Sequence, residues 1–114
     1  MSDRTAAIAA VRRALDETEA EYAQLPLVVR VFVRRGFVKR TGHDFAAWRQ
    51  LLAAPAPELR AALEALAAHY RGAPERARRG RGATAAQLAI IEQRSLARAM
   101  AATTLRQLLD VPTE

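Results

Sequence analysis

The amino-acid sequence predicts an all-α fold, a single-domain irregular bundle of four main helices plus one short helix over residues 1–114. Apolar residues recur at spacings of three and four residues in most of the chain, and this is the period of a helix. One segment is rich enough in valine to suggest a strand. Because no second strand candidate accompanies it and a lone hairpin is marginally stable in water, we do not expect a sheet.

Composition narrows the class of protein. Hydrophobic residues make up 51% of the chain and charged residues 26%, which is typical of a folded globular domain. The absence of cysteine excludes disulfides and thiolate metal sites. The N-terminus lacks the apolar core of a signal peptide, and the longest apolar run is too short to span a bilayer. We therefore expect a cytoplasmic protein with no membrane partner.

The first helix is predicted to begin at Ser2 or Asp3 and to run to about Gln24. Its apolar stripe consists of Ile8, Val11, Leu15, Thr18, Tyr22 and Leu25. The second half of this helix carries four acids, Asp16, Glu17, Glu19 and Glu21. Two interpretations are open for these acids: a solvated face, or partners for the basic segment that follows.

No other part of the chain is as hydrophobic and as cationic at once as the segment from Leu25 to Gly42. Alternating valines would allow a hairpin that turns at Gly36. A helix that starts at Pro26 and weakens or bends at Gly36 is the preferred interpretation. Since a helix that is apolar around most of its girth is normally buried, we expect this one to be the central helix of the core.

The remaining helices are marked by capping residues and apolar stripes. Gly42 and Asp44 suit the end of one helix and the N-cap of the next, which turns Phe45, Trp48 and Leu52 inward. The helix after Pro57 has a stripe formed by Leu59, Leu63, Leu66 and Tyr70, and Gly72 ends it. Residues 72–83 are expected to be an exposed basic linker. Thr84 and Gln87 then form a capping box for a helix that runs to about Leu109.

Catalytic and metal-binding signatures are absent from the sequence. His43 and His69 match neither HxxxH nor HExxH spacing, and no local signature supports a catalytic role for Ser95. There is also no glycine-rich phosphate loop. We therefore expect a protein that is not an enzyme and that has no cofactor and no metal.

The cations suggest a binding function. The formal charge is +6, and seventeen of the eighteen cations are arginine, which binds phosphate bidentately. The codon bias of a genome with a high GC content would explain the same composition without any function. Residues 37–52 have the outline of a helix-turn-helix with Arg49 and Gln50 outward, although a plain αα-corner fits them better. The segment Arg78–Gly82 is similar to the arginine-glycine core of AT-hook-like elements, but it lacks their proline.

The sequence thus favours a small, basic, non-catalytic protein, for example a regulator, that binds DNA or RNA mainly through phosphate contacts. The candidate contact residues are Arg34, Arg35, Lys39, Arg40, Arg49, Arg76, Arg78, Arg79 and Arg81. The alternative is an adaptor or accessory subunit whose basic face binds an acidic protein. An anionic small molecule held in the bundle near Trp48, Tyr70 and the two histidines, His43 and His69, is a third hypothesis. A homodimer could form through alanine-rich outer faces that include Ala61, Ala65, Ala68, Ala97, Ala101 and Ala102.

Overall fold

The computed structural model describes residues 3–55, 57–80 and 82–110, and these ranges form helices and turns without any strand. The helices are α1 (Asp3–Ala23), α2 (Leu27–Thr41), α3 (Phe45–Ala53), α4 (Leu59–Arg71), α5 (Ala73–Arg79) and α6 (Ala85–Leu109). The all-α bundle predicted from the sequence is confirmed. The valine-rich segment is a helix, so the hairpin interpretation is wrong.

Local signals set the helix boundaries as predicted at three places. The Asp44 carboxylate accepts a hydrogen bond from the Ala47 amide at 2.8 Å and begins α3. Gly42 ends α2 with a φ of 83°, a left-handed conformation that glycine adopts without steric cost. Thr84 and Gln87 exchange side chain–backbone hydrogen bonds of 2.8 and 3.1 Å, which completes the capping box of α6.

The centre of the bundle is α4. It contributes seven buried residues, more than any other described helix, and it packs against α2, α5 and α6. Its predicted stripe is fully buried: Leu59, Leu63, Leu66 and Tyr70. The long helices α1 and α6 complete the core, with Val11 and Leu15 from one and Leu105 from the other.

The prediction that residues 27–41 form the central buried helix is wrong. Of the residues in α2, Phe37 and Thr41 alone are buried. A helix that is apolar on all sides needs neighbours on all sides to be buried. Here α2 packs along one side, against α1 and α4, and Val28, Val29, Val31 and Val38 remain exposed.

Two further segments differ from the prediction. The linker expected at 72–83 contains the helix α5, which packs on α6 although none of its residues is buried. Pro74 at the start of α5 and Glu75 in its first turn both favour a helix there. Ala102 was expected on an outer, alanine-rich face, but it is fully buried and belongs to the core.

No helix among those that the structure describes combines the length and the hydrophobicity needed to cross a bilayer.

Candidate interaction surface and arginine cluster

The side of α2 that faces away from the bundle exposes large apolar side chains. Leu27 is 69% exposed, Val28 67% and Phe32 69%, and Val31 next to them is 42% exposed. The spacing of i, i+1, i+4 and i+5 places these four side chains together over the first turns of the helix. A contiguous exposed apolar patch of this kind marks an interaction site more often than a solvated surface.

Cationic side chains occupy the C-terminal part of the same side of α2. Arg35 and Lys39 follow Val28 and Phe32 at helical spacing, and the 39%-exposed Val38 lies beside them. Neither Arg35 nor Lys39 forms an ion pair with a described residue. We call this surface the α2 outer face, and it consists of Leu27, Val28, Val31, Phe32, Arg35, Val38 and Lys39. It is apolar in its N-terminal half, largely cationic in its C-terminal half, and free of acidic residues.

The acids of α1 are paired with arginines from three helices. Arg49 of α3 reaches Asp16 at 2.8 Å and Glu19 at 2.5 Å, and these hydrogen bonds raise the pKa of its guanidinium. Arg98 of α6 bonds both carboxylate oxygens of Glu21. Arg34 of α2 lies 3.9 Å from Glu19, which is a long ion pair, so the basic segment pairs only weakly with the acids of α1. The basic segment that follows α1 therefore contributes one partner, Arg34, to these acids among the described residues, and the other partners come from α3 and α6.

The arginines near α5 are also largely engaged. Arg78 bonds Glu92 of α6 and lies 3.5 Å from Glu75, and Arg79 lies 3.6 Å from Glu75. Arg81 lies outside the described residues. Arg49, Arg78 and Arg79, which the sequence suggested as phosphate contacts, thus already have carboxylate partners. Arg35, Lys39, Arg40 and Arg76 are the described candidates without one.

Arg40 and Arg76 come together on one histidine. Arg40 donates a hydrogen bond from Nε to Nδ1 of His69 at 3.0 Å, and Nη2 of Arg76 lies 3.3 Å from the same nitrogen. Arg76 also donates to the backbone carbonyl of His69 at 2.7 Å. The two basic segments of the sequence therefore meet where the C-terminal ends of α2 and α4 approach the start of α5. We call Arg40, His69 and Arg76 the arginine cluster.

Two glycines make room for these guanidinium groups. A Cβ on Gly36 would lie 2.8 Å from Nη2 of Arg40, and a Cβ on Gly72 would lie 2.8 Å from Nη1 of Arg76. Each glycine precedes its arginine by four residues, so the arginine folds back over the preceding turn. The helix α2 continues through Gly36 without a break, from Leu27 to Thr41.

His69 is neutral in this setting. Burial, together with the positive charges of Arg76 and Arg40, lowers the pKa of His69 from 6.5 to about 3. A neutral imidazole keeps a lone pair on Nδ1, which is the acceptor that both guanidinium groups approach. Burial and the nearby Arg40 also lower the pKa of Arg76. The cluster thus holds two cations and no compensating acid.

This arrangement makes stability depend on pH in a defined direction. The unfolded chain binds a proton at His69 below pH 6.5, whereas the folded chain does not until about pH 3. The contribution of His69 to the free energy of unfolding is therefore fully present above pH 6.5. It falls as the pH decreases below that value, by up to about 1.4 kcal/mol per pH unit. His69→Asn retains an acceptor near Nδ1 but cannot titrate. Urea unfolding should show wild type losing about 2–3 kcal/mol more than this variant between pH 6.5 and 4.5, and parallel profiles would contradict the assignment.

No group of three histidine or acidic residues in the described ranges is arranged to hold a metal ion. His43, the second histidine, contacts the ring of Trp48 at 5.4 Å and the hydroxyl and carbonyl oxygens of Thr41. It therefore belongs to the turn before α3.

Comparison of the chain with protein families, curated proteins and solved structures gave no match.

Proposed function

We propose that the protein is a protein-interaction module, an adaptor or accessory subunit, whose α2 outer face binds an acidic, amphipathic segment of a partner protein. The observation that carries this proposal is the exposure of Leu27, Val28 and Phe32, each about two-thirds accessible on one side of one helix. Burying such side chains contributes about 1.5–3 kcal/mol each. A protein partner is a means to gain that free energy.

Charge selects the kind of partner. The α2 outer face carries Arg35 and Lys39, and the sequence contains no acid between Glu21 and Asp44. A partner with apolar side chains followed by Asp or Glu would bury Phe32 and pair with both cations at once. A second copy of this chain docked through the same face would bring no acid to Arg35 and Lys39, so their charges would stay unmatched.

The distribution of cations favours a protein over a lipid surface. A helix that lies in a membrane interface is apolar along its length and carries cations on its flanks. In α2 the division runs along the helix axis instead, so that Arg35 and Lys39 stand on the same side as Val28 and Phe32. A protein segment, whether it is already folded or folds on binding, can match this order of apolar residues followed by cations residue by residue.

The experiment is a selection of random peptides on the intact protein. We expect bound peptides that combine leucine or aromatic residues with Asp or Glu. Phe32→Asp should weaken their binding by at least about 30-fold, since central apolar contacts dominate interfaces. Leu96→Asp is the matched control, because Leu96 on α6 is 61% exposed but lies off α2. Peptides without acids, or equal losses in both variants, would refute the proposal.

Nucleic-acid binding is the second candidate. The observation that favours it is that four of the candidate contact residues, Arg35, Lys39, Arg40 and Arg76, have no carboxylate partner among the described residues. Two of the four meet at His69. Phosphate contacts of this number give an affinity that falls steeply with salt. A low-salt mobility shift with random-sequence DNA and RNA separates the candidates: retardation that survives Phe32→Asp and is lost in Arg35→Glu/Lys39→Glu supports nucleic acid.

A further inference from the structure

We propose that the arginine cluster, Arg40, His69 and Arg76, is a binding site for a phosphate-type oxyanion. Two guanidinium groups from different helices approach one imidazole nitrogen, at 3.0 and 3.3 Å. Neither guanidinium has a carboxylate partner among the described residues. This site is distinct from the α2 outer face and does not depend on the function proposed for that face.

Free donors remain on the cluster. Arg40 uses Nε for His69, and its two terminal nitrogens have no hydrogen-bond acceptor among the described residues. They lie over Gly36, where the missing Cβ leaves space for them. Arg76 uses Nη2 for the histidine ring and carbonyl. Guanidinium nitrogens that are held in place and still lack acceptors are well suited to an oxyanion.

The surroundings leave the positive charge uncompensated. Glu21 is the acid that lines the cleft of about 120 Å³ beside Arg76. Its two carboxylate oxygens are bonded by Arg98 at 3.0 and 2.5 Å, and Arg94 lies 3.6 Å away. Glu21 is therefore already matched by two other arginines. The hydroxyl-bearing Tyr22 also lines this cleft, and burial raises the pKa of its hydroxyl, which therefore stays neutral at pH 7.

The charge of the site favours a doubly charged ligand. Two like charges held close together repel, and a dianion offsets both at once, whereas a single carboxylate offsets one. His69 accepts from the arginines in the absence of ligand and so holds their guanidinium groups in place. Arg40 is exposed to solvent, while Arg76 is partly buried, so an anion can reach the cluster from the side of Arg40. Inorganic phosphate and a phosphate monoester carry the same dianionic group.

The test is a titration of the intact protein at pH 7.5 with inorganic phosphate and, separately, with glycerol 3-phosphate. The Nε–H resonances of Arg40 and Arg76 and the ring resonances of His69 should shift and saturate. Tighter binding of the ester would identify a phosphorylated molecule as the ligand, and equal binding would identify free phosphate. Resonances that drift linearly without saturation would overturn the proposal.

Variants separate binding from a general salt effect. Phosphate stabilises most proteins by exclusion from their surface, and that effect is the same in every variant. Arg40→Gln and Arg76→Gln should each lose phosphate affinity at least about tenfold, while Arg12→Gln, an exposed arginine of α1, should retain it. Should Arg76→Gln fail to fold, Arg40→Gln and the wild-type titration still decide. Equal affinities in Arg40→Gln and Arg12→Gln would contradict the site, and Phe32→Asp should bind phosphate as wild type does.

Discussion

Phe37→Ala is expected to destabilise the protein by about 3–5 kcal/mol, whereas Phe32→Ala on the same helix should change stability by less than about 0.5 kcal/mol. Phe37 is fully buried, and its ring stacks on Phe45 with centroids 4.3 Å apart. It also contacts the edge of His69 at 5.0 Å. Phe32 is 69% exposed, so the truncation leaves no cavity and removes little packing.

Urea unfolding followed by circular dichroism measures both variants. The pair is matched in residue type, in helix and in the size of the truncation, so helix propensity cancels between them. Equal losses would mean that α2 is buried on both sides, as the sequence suggested. A large loss for Phe32→Ala alone would invert the orientation of α2 and remove the basis for a docking surface.

Trp48→Ala should also cost about 3–5 kcal/mol. Trp48 is completely buried, and its Nε1 donates a hydrogen bond to the Thr41 hydroxyl at 3.1 Å. Thr41 is the second buried residue of α2, so this bond ties the end of α2 to α3. Removing the indole leaves a cavity and deprives α2 of one of its two buried attachments.

Trp48→Phe is the control that separates packing from the hydrogen bond. Phenylalanine fills much of the space but cannot donate to Thr41, so we expect a smaller loss of about 1–3 kcal/mol. Because Trp48 is the single tryptophan of the chain, the variants must be followed by circular dichroism rather than by its fluorescence. Losses below about 1 kcal/mol in both variants would contradict the burial of this ring.

Local sequence signals were sufficient for most of the fold. The stripe of α4 and half of that of α1 are buried because three- and four-residue spacing fixes which side of a helix is apolar. The caps at Asp44 and Thr84 were readable because each depends on residues within three positions. The capping glycine at position 42 was readable for the same reason.

The position of α2 could not be read from its sequence. A helix with apolar residues on nearly every side has no pattern that distinguishes the buried side from the exposed one. Phe32 and Phe37 look alike as residues, and only the placement of α3 and α4 against one of them makes the difference. The apolar residues on every side of this helix were nevertheless informative. In a small domain such a helix is either buried at the centre or exposed as a surface that binds a partner.

The arginine cluster was equally hidden. Arg40 is 29 residues from His69 along the chain, and no local rule relates them. The sequence left open whether the two basic segments share a face, and the structure brings Arg40 and Arg76 together at His69. Arg49 and Arg78 are instead engaged by Asp16, Glu19 and Glu92, and the sequence offered no means to match these distant acids.

The central claim is that the α2 outer face is open in the free protein and covered by an acidic partner segment. The chain has no cysteine, so Val28→Cys and Met100→Cys each introduce a single thiol, at positions 67% and 58% exposed. The measurement is the rate of thiol labelling with and without a selected acidic peptide. We predict that both thiols react quickly in the free protein. The peptide should slow the labelling of the Val28→Cys variant and leave the labelling rate of the Met100→Cys variant unchanged. A slow reaction at position 28 without peptide, or equal rates there with and without it, would contradict the claim.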